Sequence, residues 1–351
     1  MTQYQLDGTK INHHVEALAK WKRGETVYPL LVEISPTTSC NHKCSFCSFE
    51  YVERDQTFLD ADRLISIADE LAPLGTKALY YAGEGEPLLH KRLPEVIIHA
   101  GRLGAFSQAL NTNGSALTAK IAEQILPELS WLRVSLNGVD AEDYAKVHAT
   151  TPAQYDLVRR NIAAAAEFKR RQGLTVSIGV QCVYLGQPGE KILSLAQDVR
   201  DLGADYFALK QFNCHPRNAF NVEVSPPAEL FAPLLALSRS GFQVTARMGL
   251  TTQPAPRPYK QCLALPFFAE IAGNGEVFAC GPHLGEAPYS YGSIYAMDFK
   301  ALWEKGNREK VEAHVRAIPD LDHECMPNCR LDAVNRYLWD LSNPPAHVDF
   351  I

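Results

Sequence analysis

Short apolar runs and stretches of helical periodicity alternate along most of this chain. Tyr28 to Ile34 is the first apolar run, and Lys77–Ala82, Ala105–Leu110, Trp131–Leu136, Thr175–Tyr184 and Tyr206–Lys210 repeat the type. Such runs, rich in aliphatic and aromatic residues, predict buried strands. Between them, Asp60–Ala72, Leu93–Leu103, Ala116–Ile125, Tyr155–Arg171 and Lys191–Asp201 space their apolar residues as helices do. Strands alternating with helices predict βαβ units and a parallel sheet. With right-handed crossovers, these six strands curl into an open, partial barrel. Alternation sets Gln181 and Val183 on one face of their strand and Cys182 and Tyr184 on the other. The pattern does not say which face looks inward.

The pattern changes after residue 225. Pro226–Ser240 reads as an amphipathic helix, and Pro254–Pro258 as a stiff, extended linker. Phe267–Ile271 and Glu276–Cys280 flank Gly273-Asn274-Gly275, a strong hairpin signal. Helical stretches follow at Phe299–Lys305, Arg308–Ala317 and Leu331–Leu341. The expected organisation is a lead-in at 1–30, a barrel at 31–225, a connection at 226–258 and a smaller α+β unit at 259–351.

Sites in parallel sheets form at the carboxyl ends of the strands. Directly after the first strand stand Cys40, Cys44 and Cys47, spaced C-x3-C-x2-C. Three thiols in eight residues leave one without a disulfide partner, whereas three thiolates can hold one face of a metal centre. Zinc normally takes four ligands, and His42 would have to be the fourth. A [4Fe–4S] cluster with one iron left open suits three. A second set, Cys262, Cys280, Cys325 and Cys329, spans the hairpin and the entry to the last helix. Four thiolates fit a fully ligated cluster or a structural zinc.

Composition narrows the class further. The chain has 351 residues, 46% hydrophobic and 21% charged, with a formal net charge of −6. No basic block stands out, which argues against non-specific nucleic-acid binding. The N-terminus lacks the apolar core of a signal peptide, and no apolar run reaches the length of a membrane span. Nine cysteines without an export signal read as metal or redox thiols of a cytoplasmic protein.

The cysteine spacing, with Phe46 before the last thiol, resembles the radical S-adenosylmethionine (SAM) superfamily. Gly83-Glu84-Gly85-Glu86-Pro87 after the second strand resembles that family's Gly-Gly-Glu-Pro turn, with Glu84 departing from the adjacent glycines. Val134-Ser135-Leu136-Asn137-Gly138 resembles its Ser-Leu-Asp-Gly run. The resemblance implies a partial (β/α)6 barrel, SAM on the open iron, and cofactor contacts from Gly83, Gly85, Glu86, Asn113 and Ser135. The hairpin, Tyr291-Gly292-Ser293-Ile294, Trp303 and the paired C-terminal cysteines resemble SPASM/twitch domains, which implies an auxiliary [4Fe–4S] cluster. The single-cluster twitch form of aminocyclitol dehydrogenases is the nearest pattern, although Cys325–Cys329 is spaced more widely.

The resemblance further implies an electron from a flavodoxin or ferredoxin, cleavage of SAM to a 5′-deoxyadenosyl radical, and hydrogen-atom abstraction from a small polar metabolite. Oxidation through the auxiliary cluster is the expected outcome. Epimerisation by a hydrogen atom from Cys214, fragmentation, and modification of a peptide are the alternatives. A non-catalytic electron carrier would need no SAM turn. Lys210 and His215, at the end of the sixth strand, are the candidate bases.

Overall fold

The computed structural model describes residues 4, 8–52, 55–212, 215, 217–220, 222, 224–247, 256–326 and 329–350. Its strands are β1 (Leu31–Ile34), β2 (Ala78–Tyr81), β3 (Ser107–Thr112), β4 (Trp131–Ser135), β5 (Ser177–Tyr184), β6 (Tyr206–Gln211), β7 (Gln243–Arg247), β8 (Phe268–Ile271), β9 (Glu276–Phe278) and β10 (Ser290–Ser293). The helices are α1 (Val15–Lys22), α2 (Ala61–Leu74), α3 (Leu93–Arg102), α4 (Ala119–Ile125), α5 (Ala141–His148), α6 (Pro152–Gln172), α7 (Gly189–Asp201), α8 (Phe231–Leu235), α9 (Phe299–Lys305), α10 (Arg308–Arg316), α11 (Leu321–Glu324) and α12 (Asp332–Ser342). Among the described residues no helix is long and apolar enough to cross a membrane.

β1 to β7 lie side by side in chain order, every neighbouring pair parallel. On its other edge β1 pairs, also in parallel, with β8, which continues antiparallel into β9 and β10. The expected α/β architecture, a partial barrel with a further C-terminal portion, is therefore present, and the hairpin joins the same sheet. One detail differs from the sequence reading. The expected helix over 226–240 is a 3-10 turn at Ala228–Leu230 followed by the short α8. Pro233 sits inside α8, and Gly241, at φ +80°, turns the chain into β7 instead of prolonging the helix.

Burial resolves the two faces of the sheet. Leu132 and Val134 of β4, and Ile178, Val180 and Cys182 of β5, lie in the core shared with the surrounding helices. Cys182 is fully buried there, as a small apolar side chain would be. Arg133, Ser135, Gln181 and Val183 line cavities on the other side of the sheet. A second core packs Ile11 and Leu18 of the lead-in against Phe267, Phe268, Leu331, Val334 and Leu338. Through it α12 rests against the hairpin side of the sheet.

Candidate functional site

At the carboxyl end of the strands, one cavity is lined by Cys40, Cys44 and Cys47 together with the turn after β2. The cysteine loop is docked on α5, where the carbonyls of Val147 and His148 accept from Ser45 N–H and Lys43 N–H. These are end carbonyls of the helix, which need partners from outside it. His148 adds a side-chain contact, with its Nδ1 3.1 Å from Cys44 Sγ. Its Nε2 accepts from the backbone N–H of Asn137, so the ring proton sits on Nδ1 and points at the sulfur. Burial pushes the imidazole pKa down to about 3, so the ring is neutral. On the opposite side, Asn218 donates to the carbonyl of Cys47.

The Gly-rich turn is built around close approach to this loop. A Cβ on Gly83, at φ +115°, would fall 1.7 Å from Ser35 Oγ, and one on Gly85 would fall 2.3 Å from the carbonyl oxygen of Ser39. Both glycines therefore let the turn press against the root of the cysteine loop. Glu86 is buried, and its carboxylate accepts from Thr112 Oγ1, Asn113 N–H and Leu88 N–H. Burial raises its pKa, opposed by those three bonds. Its carboxylate thus braces the turn after β3, and Asn113 in turn donates to Asn41 in the cysteine loop. Ser135, at the end of β4, lines the same cavity. Glu84, the departure from two adjacent glycines, accepts from Gly273 N–H at 2.6 Å and so ties the turn to the hairpin.

The three cysteines do not crowd as the donors of one metal ion would. The tight group among the described residues is His42, Cys44 and His148, within 4.8 Å of one another, and it excludes Cys40 and Cys47. That group does not bring His42 together with all three thiols, the set a zinc site here would need. Three thiols spread around one mouth fit the larger face of a [4Fe–4S] cluster.

A second cavity adjoins the first. Ser48, Phe49, Gln181 and Lys210 line both, and the second continues to Arg133, Arg330, Cys280 and Cys329. His215 lies on its wall, but both of its ring nitrogens are committed. Nδ1 accepts from Arg217 N–H, and Nε2 donates to the carbonyl of Pro282. The ring is buried and stacks on Tyr51 at 4.3 Å, and burial lowers its pKa. Of the candidate bases, Lys210 is the one that reaches both cavities. Cys214 lies outside the described residues.

The downstream cysteines converge as well. Cys262, Cys280, Cys325 and Cys329 line a single, largely apolar cavity. Asn335 Nδ2 donates to Cys262 Sγ and Leu331 N–H to Cys329 Sγ, both at 3.4 Å. Burial raises Cys280 and pushes Cys262 up to about 11. A shared hydrogen bond raises Cys325 and lowers Cys329 to about 7. Buried thiols whose charges repel one another, with N–H donors aimed at sulfur, form a donor set that a cationic metal centre would relieve.

Fold and site together define a class: a parallel α/β partial barrel with three thiols at the mouth of its first strand. The family model described as the radical SAM superfamily matches residues 34–201, just under half of the chain. Over 113 residues the chain is 33% identical to the S-adenosylmethionine-dependent nucleotide dehydratase of Lacinutrix mariniflava, covering 31% of this chain and 23% of that one. Over 181 residues it is 28% identical to the dTDP-4-amino-4,6-dideoxy-D-glucose ammonia-lyase of Streptomyces venezuelae, covering 50% and 37%. Well under half of either relative's length is thus spanned. The crystal structure of Streptococcus suis SuiB bound to S-adenosylmethionine superposes with a TM-score of 0.68 at 16% identity, covering 94% of this chain and 78% of that one. That is a likeness of fold.

Proposed function

We propose that this chain is a radical SAM enzyme that oxidises a small polar metabolite, a sugar, aminocyclitol or nucleoside derivative, with a second cluster on its downstream cysteines as electron acceptor. The carrying observation is the continuity of the two cavities, from Cys40, Cys44 and Cys47 past Lys210 to Cys280 and Cys329. When bound, a [4Fe–4S] cluster on the first three thiols and SAM supply a 5′-deoxyadenosyl radical able to take a hydrogen atom from an unactivated C–H bond.

The chain's own residues do the rest. Cys40, Cys44 and Cys47 would hold the first cluster, and Cys262, Cys280, Cys325 and Cys329 the second. The backbone from Gly83 to Glu86, with Asn113 and Ser135, lines the place for SAM. Lys210 stands between the two cavities, where a proton leaving the oxidised substrate would be taken up. The two curated relatives are named for a nucleotide and a nucleotide-linked sugar substrate, which supports a metabolite over a peptide. A flavodoxin or ferredoxin is the proposed electron donor, and the cytoplasm the proposed compartment.

The test is anaerobic reconstitution with iron and sulfide, followed by an iron count and incubation with SAM and a strong reductant. Two iron–sulfur centres and release of 5′-deoxyadenosine are expected. A preparation that holds only zinc, or that leaves SAM intact, overturns the reading. One centre with SAM cleavage overturns the acceptor role alone.

A further inference from the structure

The second cavity has an uneven lining. Arg133, Lys210 and Arg330 face it, and among the described residues that line it there is no carboxylate. Two acidic side chains are buried in the strands beside it. Glu33 and Glu270, paired across β1 and β8, are 3% and 1% exposed, whereas the Arg330 side chain is 35% exposed. Arg330 has its charge neutralised by the ion pair with Glu33, at 2.6 Å. Arg133 is held differently. Its Nε donates to Asn111 Oδ1 and one terminal nitrogen to Tyr80 OH, at 2.9 and 2.7 Å, and both partners are neutral. Its guanidinium also lies over Trp131, 4.7 Å from the ring centroid.

These contacts fix the guanidinium plane without neutralising it. No ion pair to Arg133 exists among the described residues, and a half-buried cation is costly to keep without an anion. Nor does Arg133 line the cavity of the cysteine loop, so its charge is not directed at the cofactor side. Arg133 occupies the middle of β4 and Lys210 the end of β6, rigid positions on either side of β5. A planar guanidinium aimed from a strand into a cavity suits an oxyanion with two acceptor oxygens, and the Lys210 amine adds a further N–H donor.

We infer that this cavity is a subsite for an anionic oxygen group of the substrate, a phosphate or a carboxylate, with Arg133 as the residue that selects for it. The inference rests on the proposed function and narrows its substrate class to charged metabolites. A neutral sugar or a cationic aminocyclitol would leave Arg133 uncompensated. A phosphorylated or carboxylated one would complete it and hold the rest of the molecule toward Lys210 and the cysteine-loop cavity.

The experiment is anaerobic calorimetric titration of the reconstituted, SAM-loaded enzyme with matched probes: D-glucose 6-phosphate and D-gluconate against D-glucose, and UDP against uridine. The charged member of a pair is expected to bind at least about tenfold more tightly, with the margin shrinking as salt rises. A margin for the phosphates alone, or for gluconate alone, identifies the group. Arg133→Gln should remove the margin, and Arg133→Lys should keep part of it with a steeper salt dependence. Iron content and melting temperature check that each variant folds, and Arg133→Lys carries the test if the glutamine variant does not. Equal binding of charged and neutral probes overturns the subsite, as does a folded Arg133→Gln that retains the margin. Release of 5′-deoxyadenosine by the wild-type enzyme is measured in the same preparation. Its absence overturns the radical SAM reading, whereas its presence without charge preference overturns the subsite alone.

Discussion

The His148 side chain meets the cysteine loop through one hydrogen bond whose direction is fixed by its neighbour, the Asn137 N–H. A donor to a thiolate ligand draws charge from the sulfur and makes reduction of a bound cluster easier. His148→Phe should therefore shift the midpoint potential of the first centre to more negative values, read by an electron-paramagnetic-resonance redox titration. An unchanged potential would leave His148 only its packing against Tyr144 and Phe46. Asn335 plays a comparable part at the second site. Its carbonyl oxygen accepts from Leu263 N–H and Ala264 N–H while its amide reaches Cys262. Asn335→Leu leaves two backbone donors without a partner, and each such loss costs about 1–3 kcal/mol where it is buried. Thermal unfolding should show that loss, and the iron count should fall toward that of one centre. The cysteines were legible because their spacing is their chemistry. His148 and Glu84 were not, because their partners lie far away in sequence and neither belongs to a spaced motif.

At the scale of the element, all six strands expected between residues 28 and 210 are present. Their apolar runs are short, and each is followed by a helical stretch that can only pack on one side. β7 has no counterpart among the expected strands because Gln243–Arg247 is only 5 residues long and closely follows the segment whose period predicts a helix. Alternation likewise could not orient β5, since Gln181 and Cys182 are each compatible with either face. Packing makes the choice: Gly179, two residues before Gln181, leaves room for the Tyr206 ring on the inner side. A Cβ at Gly179 would lie 1.9 Å from that ring. Gly179→Ala should destabilise the barrel by about 1–3 kcal/mol through overpacking, measured by denaturant unfolding. Displacement of Tyr206 should also disturb Trp131, to which it is hydrogen-bonded.

At the scale of the whole molecule, Glu33, Glu270 and Arg330 bring β1, β8 and the residue after Cys329 to one point. Burial, with Glu33 nearby, raises the Glu270 carboxyl well above its ordinary range. The folded chain therefore keeps a proton there that the unfolded chain releases. This contribution to stability is complete below the ordinary carboxylate range and shrinks as the pH climbs toward the folded value. Glu270→Gln carries no such proton, so its stability relative to the parent should rise as the pH climbs above the ordinary carboxylate range, measured by denaturant unfolding at each pH. Glu33→Gln should cost more than Glu270→Gln at neutral pH, because it strips Arg330 of its counter-ion.

The parallel pairing of β1 with β8 has no signature in sequence, yet it sets the order in which the molecule can be finished. Once made, β1 keeps one row of amides and carbonyls bare until β8, which follows all of β2 to β7 in the chain, arrives to cover it. Synthesis interrupted before that segment emerges would strand an adhesive apolar rim at the heart of the sheet. Fragments lacking it should collect in inclusion bodies, and a chaperone that shields exposed strand edges should raise the yield of the intact polypeptide.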